Sequence, residues 1–153
     1  MTRTAPITNP ESQKQDSPMA TQIFVNLPVK DLKRSIEFFT KLGYSFNPQF
    51  TDDNAACLVI SETIYAMLLV EPFFKTFVGE KTIVDAHKAT EVIVALSAES
   101  TDAVKRLVNT AVEAGGKRHK EPQDHGFMYY EAFTDLDGHV WEHLWMNPSH
   151  VQK

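Results

Sequence analysis

Apolar and polar positions along the chain predict a strand, a helix and three further strands in the first half. Residues 23–29 have the pattern of a strand, and Pro28 favours an edge position because proline cannot donate a ladder hydrogen bond. Apolar residues then recur at helical spacing between Asp31, which can cap a helix, and Gly43, which can end one. Three further strands are predicted at residues 44–50, 55–60 and 64–70.

The second half has the same order of elements. Residues 91–98 have the pattern of a strand, and Ser100 or Thr101 can cap the helix that follows, which a pair of glycines can end. An Asp-Gly pair suits a tight hairpin between the last two strands. The three strands after the helix are predicted near residues 117–120, 127–134 and 139–145.

An internal repeat underlies this order. The first strands of the two halves align without a gap, which matches Phe24 with Ile93, and the final strands match Met67 with Glu142. The repeat predicts an α+β fold with two βαβββ modules. We expect their curved mixed sheets to surround a cup, with the helices on the outer faces.

Length and composition favour one compact domain. The chain has 153 residues, and 42% of them are hydrophobic, which is enough to build a core. Residues 1–18 are polar and contain few bulky apolar side chains, so we expect a disordered tail. Residues 19–153 are expected to form a single domain, with modules at about 21–71 and 90–147 and a connector at 72–89.

Charge and cysteine content narrow the classes of partner. The formal net charge is −5 and the basic residues are scattered, apart from a short basic segment at 117–120, so a nucleic acid is not expected as a partner. No apolar run has the length of a membrane span, so no membrane partner is expected. The single cysteine, Cys57, lies in an apolar run where a buried thiol is expected, and it fits a reducing, cytoplasmic location.

Two segments resemble the vicinal oxygen chelate superfamily, which includes glyoxalase I, extradiol dioxygenases, and bleomycin- and fosfomycin-resistance proteins. These segments are residues 29–43, VKDLKRSIEFFTKLG, and residues 133–142, FTDLDGHVWE. Residues 121–128 add a resemblance to a bacterial branch described as predicted lactoylglutathione lyases. The resemblance covers about residues 21–146 and implies the two-module fold. It also implies a homodimer, because members of this superfamily are commonly two-fold dimers.

The resemblance implies a divalent-metal site with one ligand from the first and one from the last strand of each module. At these four positions the chain has Phe24, Met67, Ile93 and Glu142, so only the last keeps a side chain of the ligand type. Asn26 lies two residues from Phe24 and so shares its strand face, which makes it the nearest substitute ligand. We therefore expect no metal site and no cofactor.

Strand alternation directs Glu142 into the cup and places Trp141 and His143 under a helix. In a dry cup the carboxyl group could serve as a general acid or base, and a structural ion pair or hydrogen bond is the competing interpretation. His125 precedes a predicted cup strand and is expected near the cup mouth. The other histidines are expected at the surface or too far apart to share an ion.

The connector is long for a compact domain and carries three phenylalanines. Two interpretations stay open for it: a lid over the cup, or a short helix whose phenylalanines pack on the core or on a second subunit. Asp135 and Asp137 are expected to be turn residues, because the segment after them lacks the oxygen ligands of a calcium loop.

These patterns favour a protein that binds or sequesters a small, partly apolar or aromatic organic molecule without a metal. The first alternative is a metal-dependent lyase, isomerase or dioxygenase with relocated ligands at Glu142, Asn26 and His125. The second is a metal-free acid–base enzyme built on Glu142. The residues expected to line the cup are Phe24, Asn26, Met67, Ile93, His125 and Glu142.

Overall fold

The structure, a computed structural model, describes residues 20–150 and contains two βαβββ halves. The predicted disordered tail at 1–18 lies outside the described residues. The first half comprises β1 (Ile23–Val29), α1 (Leu32–Lys41), β2 (Ser45–Asn47), β3 (Ala55–Val59) and β4 (Ile64–Val70). A short helix follows, α2 (Glu71–Lys75). The second half comprises β5 (Ile93–Ser97), α3 (Thr101–Glu113), β6 (Lys117–Arg118), β7 (Gln123–Asp124), β8 (Met128–Thr134) and β9 (Val140–Met146).

The two halves form mixed sheets with the same strand order, which confirms the predicted α+β fold. The first sheet has the order β1-β4-β3-β2 and the second has the order β5-β9-β8-β6, with β7 also paired to β8. In each sheet the first strand runs parallel to the last strand of the same half. The register places Asn26 opposite Met67 and Ala95 opposite Glu142, in agreement with the alignment of the two halves. The sheets are open and do not close into a barrel.

Both long helices begin and end at the residues that the sequence predicts. The Asp31 side chain accepts a hydrogen bond from the Arg34 amide at the start of α1, and Ser100 does the same for Ala103 at the start of α3. Gly43, with φ +100°, follows the end of α1 in a backbone conformation that favours glycine. In the described residues, no helix is long and apolar enough to cross a membrane.

The buried sides of α1 and α3, together with the sheet faces that these helices cover, form one hydrophobic core. From α1, the Phe38 ring lies 6.0 Å from the Phe133 ring and the Phe39 ring lies 5.0 Å from the Trp141 ring. These four aromatic side chains are almost fully buried and join the first half to β8 and β9 of the second. Each sheet therefore has a helix-covered face that faces this core and an opposite face without a long helix.

Two predicted strands are shorter than expected. The strand predicted over 44–50 ends at Asn47, whose side chain accepts a hydrogen bond from the Gln49 amide and starts a single 3-10 turn at Pro48. The strand predicted near 117–120 is reduced to β6, and β7 adds a second short pairing along β8. In both places the strand stops pairing with the adjacent strand, β3 or β8, earlier than the alternation of apolar and polar side chains predicts.

Candidate functional site

The open face of the first sheet is the face without a long helix, and its central part carries Phe24, Asn26, Tyr65 and Met67. Phe24 is 46% exposed, and its ring stacks on Tyr65 at 4.9 Å with an interplanar angle of 11°. The Asn26 side-chain amide donates a hydrogen bond to the Phe24 carbonyl at 3.2 Å. By strand alternation, β1, β3 and β4 place no charged side chain on this face. On these three strands the face therefore offers apolar and aromatic surface with one amide group and, opposite Met67, the buried Cys57 thiol.

The open face of the second sheet is defined in the same way and carries Glu142 on its central strand β9. Its cross-strand neighbours are Ala95 on β5 and Ala132 on β8, and these small side chains leave space around the carboxylate. In the part of the chain that the structure describes, the one ion pair joins Arg118 to Glu131, so Glu142 has no ionic partner there. Glu142 is half-buried.

His125 also reaches the open face of the second sheet. Its ring lies 6.0 Å from the ring of Tyr130 with an interplanar angle of 28°. Tyr130 shares a strand face with Ala132, because the two lie two residues apart on β8. The Lys120 ammonium lies 5.5 Å from the centre of the Tyr130 ring, which places a positive charge at the edge of this face.

The six residues expected to line the cup fall into two groups. One group is on the open face of the first sheet and the other is on the open face of the second: Phe24, Asn26 and Met67, and then Ile93, His125 and Glu142. A half-open cavity of about 150 Å³ is lined by Asn26 and by none of the other five. Sequence reasoning missed Tyr65, Ala95 and Ala132, whose places follow from cross-strand register. It placed Tyr130 on a cup strand without fixing which face it occupies.

The helix-covered side of β9 contains a buried histidine. His143 is 2% exposed and stacks on the ring of Phe133 at 5.7 Å with an interplanar angle of 9°. Its Nε2 atom has no hydrogen-bond partner among the described residues. Burial lowers the pKa of His143 from 6.5 to about 4, so the imidazole is neutral near pH 7. Its place under a helix, like that of Trp141, agrees with the predicted strand alternation.

The turn between β8 and β9 is held by Asp135, whose buried carboxylate accepts three hydrogen bonds. The donors are the indole Nε1–H of Trp141 at 2.9 Å and the backbone amides of Asp137 and His139. Burial raises the pKa of Asp135, and the nearby His139 and these hydrogen bonds act in the opposite direction. Asp135 is therefore a turn residue, as expected, and it also fixes the Trp141 side chain.

The same turn connects the two halves of the chain. The Asp137 carboxylate accepts hydrogen bonds from the Lys30 amide at 2.9 Å and from the Ser35 hydroxyl at 3.3 Å. The His139 Nε2 atom lies 2.7 Å from the Pro28 carbonyl oxygen, which accepts a hydrogen bond when Nε2 carries the proton. The end of β1 is thus attached to the hairpin of the second half.

The connector begins with the short helix α2, which packs on β1 and β4, but its phenylalanines lie outside the hydrophobic core and Phe77 is 65% exposed. Its Phe73 and Phe77 rings contact each other at 5.1 Å, and Phe74 lines the 150 Å³ cavity. Farther along, the connector passes against Gly138, where a Cβ atom would lie 2.8 Å from the His87 amide nitrogen.

Several other candidate groups have plain structural roles. Cys57 is 1% exposed, and burial raises the pKa of its thiol, so the reactive thiolate is disfavoured. His87, His119 and His150 are exposed, as expected. Within residues 20–150, no three His, Cys, Asp or Glu side chains lie close enough together to hold a metal ion.

Comparison with known proteins identifies the fold. Residues 21–61 match the family described as bleomycin resistance protein-like N-terminal. A hypothetical protein from S. aureus, SA1046, is 29% identical, with a TM-score of 0.69 over 84% of this chain and 95% of that one. A glyoxalase/bleomycin resistance protein/dioxygenase family enzyme from Burkholderia phytofirmans PsJN has a TM-score of 0.68 at 15% identity, covering 83% of this chain and 99% of that one.

A third solved structure with the same fold is the fosfomycin resistance protein FosX from Mesorhizobium loti. It has a TM-score of 0.60 at 14% identity and covers 86% of this chain and 97% of that one. No curated protein matches the chain significantly. The similarity therefore concerns the fold, and the chemistry has to be argued from the side chains.

Proposed function

We propose that this chain, which has the glyoxalase/bleomycin-resistance fold and matches the bleomycin resistance protein-like N-terminal family over residues 21–61, belongs to the vicinal oxygen chelate superfamily and binds a small, partly apolar or aromatic molecule on its open sheet faces. One observation carries the proposal. Three of the four positions that would hold the family's metal are Phe24, Met67 and Ile93, and all three lie on the open faces. Phe24 and Ile93 have no donor atom and the Met67 thioether is a poor ligand for a hard divalent cation, but all three side chains favour an organic guest.

The open face of the second sheet supplies the polar contact for such a guest. Glu142 lacks an ionic partner within the described residues, and the two alanines beside it leave its carboxylate accessible. A ligand that donates a hydrogen bond to Glu142 would stack its apolar part on the aromatic side chains nearby. The single cysteine, buried in the core, is compatible with a cytoplasmic location for this function.

The binding site is completed by a second copy of the chain. In the described residues, β1 and β5 each pair with a single strand, and both free edges carry large exposed apolar side chains. The exposed fractions are 53% for Ile23, 46% for Phe24, 42% for Val92 and 53% for Ile93. Pairing of β1 in one copy with β5 in the other would cover these edges. It would also bring the two groups of candidate site residues next to each other.

A ligand screen by thermal melting tests the proposal. The wild type is compared with Glu142→Gln, which keeps the size of the side chain and removes its charge, and with Glu113→Gln, an exposed position on α3. We expect compounds that raise the melting temperature of the wild type and of Glu113→Gln to lose most of their effect on Glu142→Gln. An equal response of all three proteins would remove Glu142 from the site.

Metal content tests the leading proposal against the metal-dependent alternative. Purified protein is analysed by mass spectrometry for zinc, nickel, manganese and iron, and is melted with and without a chelator. We expect substoichiometric metal and a melting temperature that the chelator does not change. Near-stoichiometric metal, or a large fall in melting temperature with the chelator, would overturn the proposal of a metal-free site.

A metal-free acid–base enzyme is the second candidate, and the half-buried, unpaired Glu142 favours it. Incubation of each stabilising compound with the wild type, followed by mass spectrometry, separates an enzyme from a binding protein. A product that forms with the wild type and not with Glu142→Gln would show turnover at this carboxylate. Recovery of unchanged compound from every mixture would favour binding alone.

A further inference from the structure

A half-open cavity of about 150 Å³ lies under the connector, between residues 26–28 of β1 and Val140 at the start of β9. Its apolar lining combines the connector with the start of β9, and includes Phe74, Val78, Ile83, Val84 and Val140. An apolar cavity of this volume is the right size for a single benzene ring. Because it is open on one side, a ligand could enter without unfolding the core.

A second, more polar cavity of about 280 Å³ adjoins the first. The two share five lining residues, so they form one cleft with an apolar and a polar end. Its polar end is lined by three carboxylates, from Glu71, Asp85 and Asp137, and by one ammonium group, from Lys30. The carboxylates of the polar end therefore outnumber its ammonium group, while Lys81 and Glu91 in the lining of the apolar end offset each other, so the cleft favours a cation at its polar end.

We propose that this connector cleft is a binding site for a small aromatic amine, with the ring in the apolar end and the protonated amine in the polar end. The cleft adjoins the open-face site proposed above, because Asn26 lines its apolar end, but Glu142 lines neither part of it. The close approach of the connector to Gly138 supports the proposal, because residues on both sides of this approach line the cleft. Long loops that cover cavities are commonly functional.

Titration of the full-length, isotope-labelled chain with benzylamine, followed by amide NMR spectra, tests the proposal. We expect saturable shifts in residues 78–92 and 138–140, with a Kd on the order of 1 mM, as is usual for a ligand of about eight non-hydrogen atoms. Benzyl alcohol has the same ring without the charge and should bind roughly fivefold more weakly. Phenylacetate, which carries a negative charge, should cause no shifts in these segments.

Variants separate the two ends of the cleft. Val78→Trp places a large side chain in the apolar end and should abolish binding, and Ala89→Leu narrows the same end as a milder second variant. The double variant Glu71→Gln and Asp85→Asn should weaken benzylamine roughly fivefold without affecting benzyl alcohol. Asp53→Asn, in the turn before β3, is the matched control and should bind like the wild type.

Three results would overturn the proposal. The first is the absence of shifts at millimolar benzylamine. The second is unchanged binding in both Val78→Trp and Ala89→Leu. The third is a set of shifts centred on Ala95, Ala132 and Glu142 that Glu142→Gln removes, which would assign the amine to the open-face site and leave the proposed function standing without the cleft.

Discussion

His143 is a buried side chain whose titration is expected to make stability depend on pH. Burial lowers its pKa from 6.5 to about 4, so the unfolded chain takes up the proton at a higher pH than the folded chain does. The contribution of His143 to stability is complete above pH 6.5 and is lost as the pH falls towards 4. We expect a loss of about 3 kcal/mol in the free energy of unfolding across this window. Urea unfolding at several pH values measures it.

A substitution separates the effect of His143 on the unfolding free energy from the effect of carboxylates that take up protons in the same pH range. His143→Phe keeps an aromatic ring against Phe133 and removes the titrating group. The difference in unfolding free energy between the two proteins should grow in favour of His143→Phe as the pH falls below 6.5. His119→Gln, at an exposed position, serves as the control. A constant difference across the pH range would show that His143 does not titrate as described.

Local residue roles could be predicted from the sequence, and long-range roles could not. The caps Asp31 and Ser100 bind amides three residues away, so their spacing along the chain reveals them. The contact between His139 and the Pro28 carbonyl joins residues 111 positions apart. The residues next to His139 in the sequence give no indication that its partner is the Pro28 carbonyl.

At the scale of the elements, the position of the connector requires a glycine at residue 138. Gly138 has φ +91°, and a Cβ atom there would lie 2.8 Å from the His87 amide nitrogen. Gly138→Ala combines backbone strain with displacement of the connector, so we expect a loss of about 2 kcal/mol or more in unfolding free energy. Trypsin should also cleave the displaced connector faster at Lys81 or Lys88. Urea unfolding and limited proteolysis measure the two effects.

Gly79→Ala is the matched control for this prediction. Gly79 also has a positive φ, +63°, but a Cβ atom there would meet nothing within 4 Å. The control therefore has backbone strain alone, which costs about 1 kcal/mol. Equal losses in the two variants would mean that the contact with the connector contributes nothing.

The order of elements followed from the sequence because both halves repeat it. Element lengths were harder to predict, since they depend on hydrogen bonds that compete with strand pairing. Asn47 ends β2 by accepting a hydrogen bond from the Gln49 amide, although the alternation of apolar and polar residues continues to Phe50. The division between β6 and β7 likewise depends on how each segment pairs with β8.

At the scale of the whole molecule, the free sheet edges predict a dimer. Ile23→Lys places a charge on the exposed edge strand β1 and should convert a wild-type dimer into a monomer. Val112→Lys alters an apolar side chain of similar exposure, 41%, on helix α3 away from both edges. This control should remain dimeric. Sedimentation velocity distinguishes the two states, and a wild-type monomer would contradict the expected assembly.

The candidate site was predicted as a set of residues, but its division between two sheets was not. Alternation predicts the strand face of the five candidates that lie on strands, because it depends only on odd and even positions. The position of one module against the other depends on contacts such as those of Phe38 with Phe133 and Phe39 with Trp141. These contacts join distant parts of the chain, and no pattern within either module specifies them.

The shared aromatic core also limits what each module can do alone. Phe38 and Phe39 of the first module are covered by Phe133 and Trp141 of the second. A module produced by itself would expose these rings to water, which favours aggregation over independent folding. The two modules repeat one order of elements but depend on each other for folding. After a duplication, the open-face residues of each module could therefore change freely, while its core residues had to keep fitting the core of the other module.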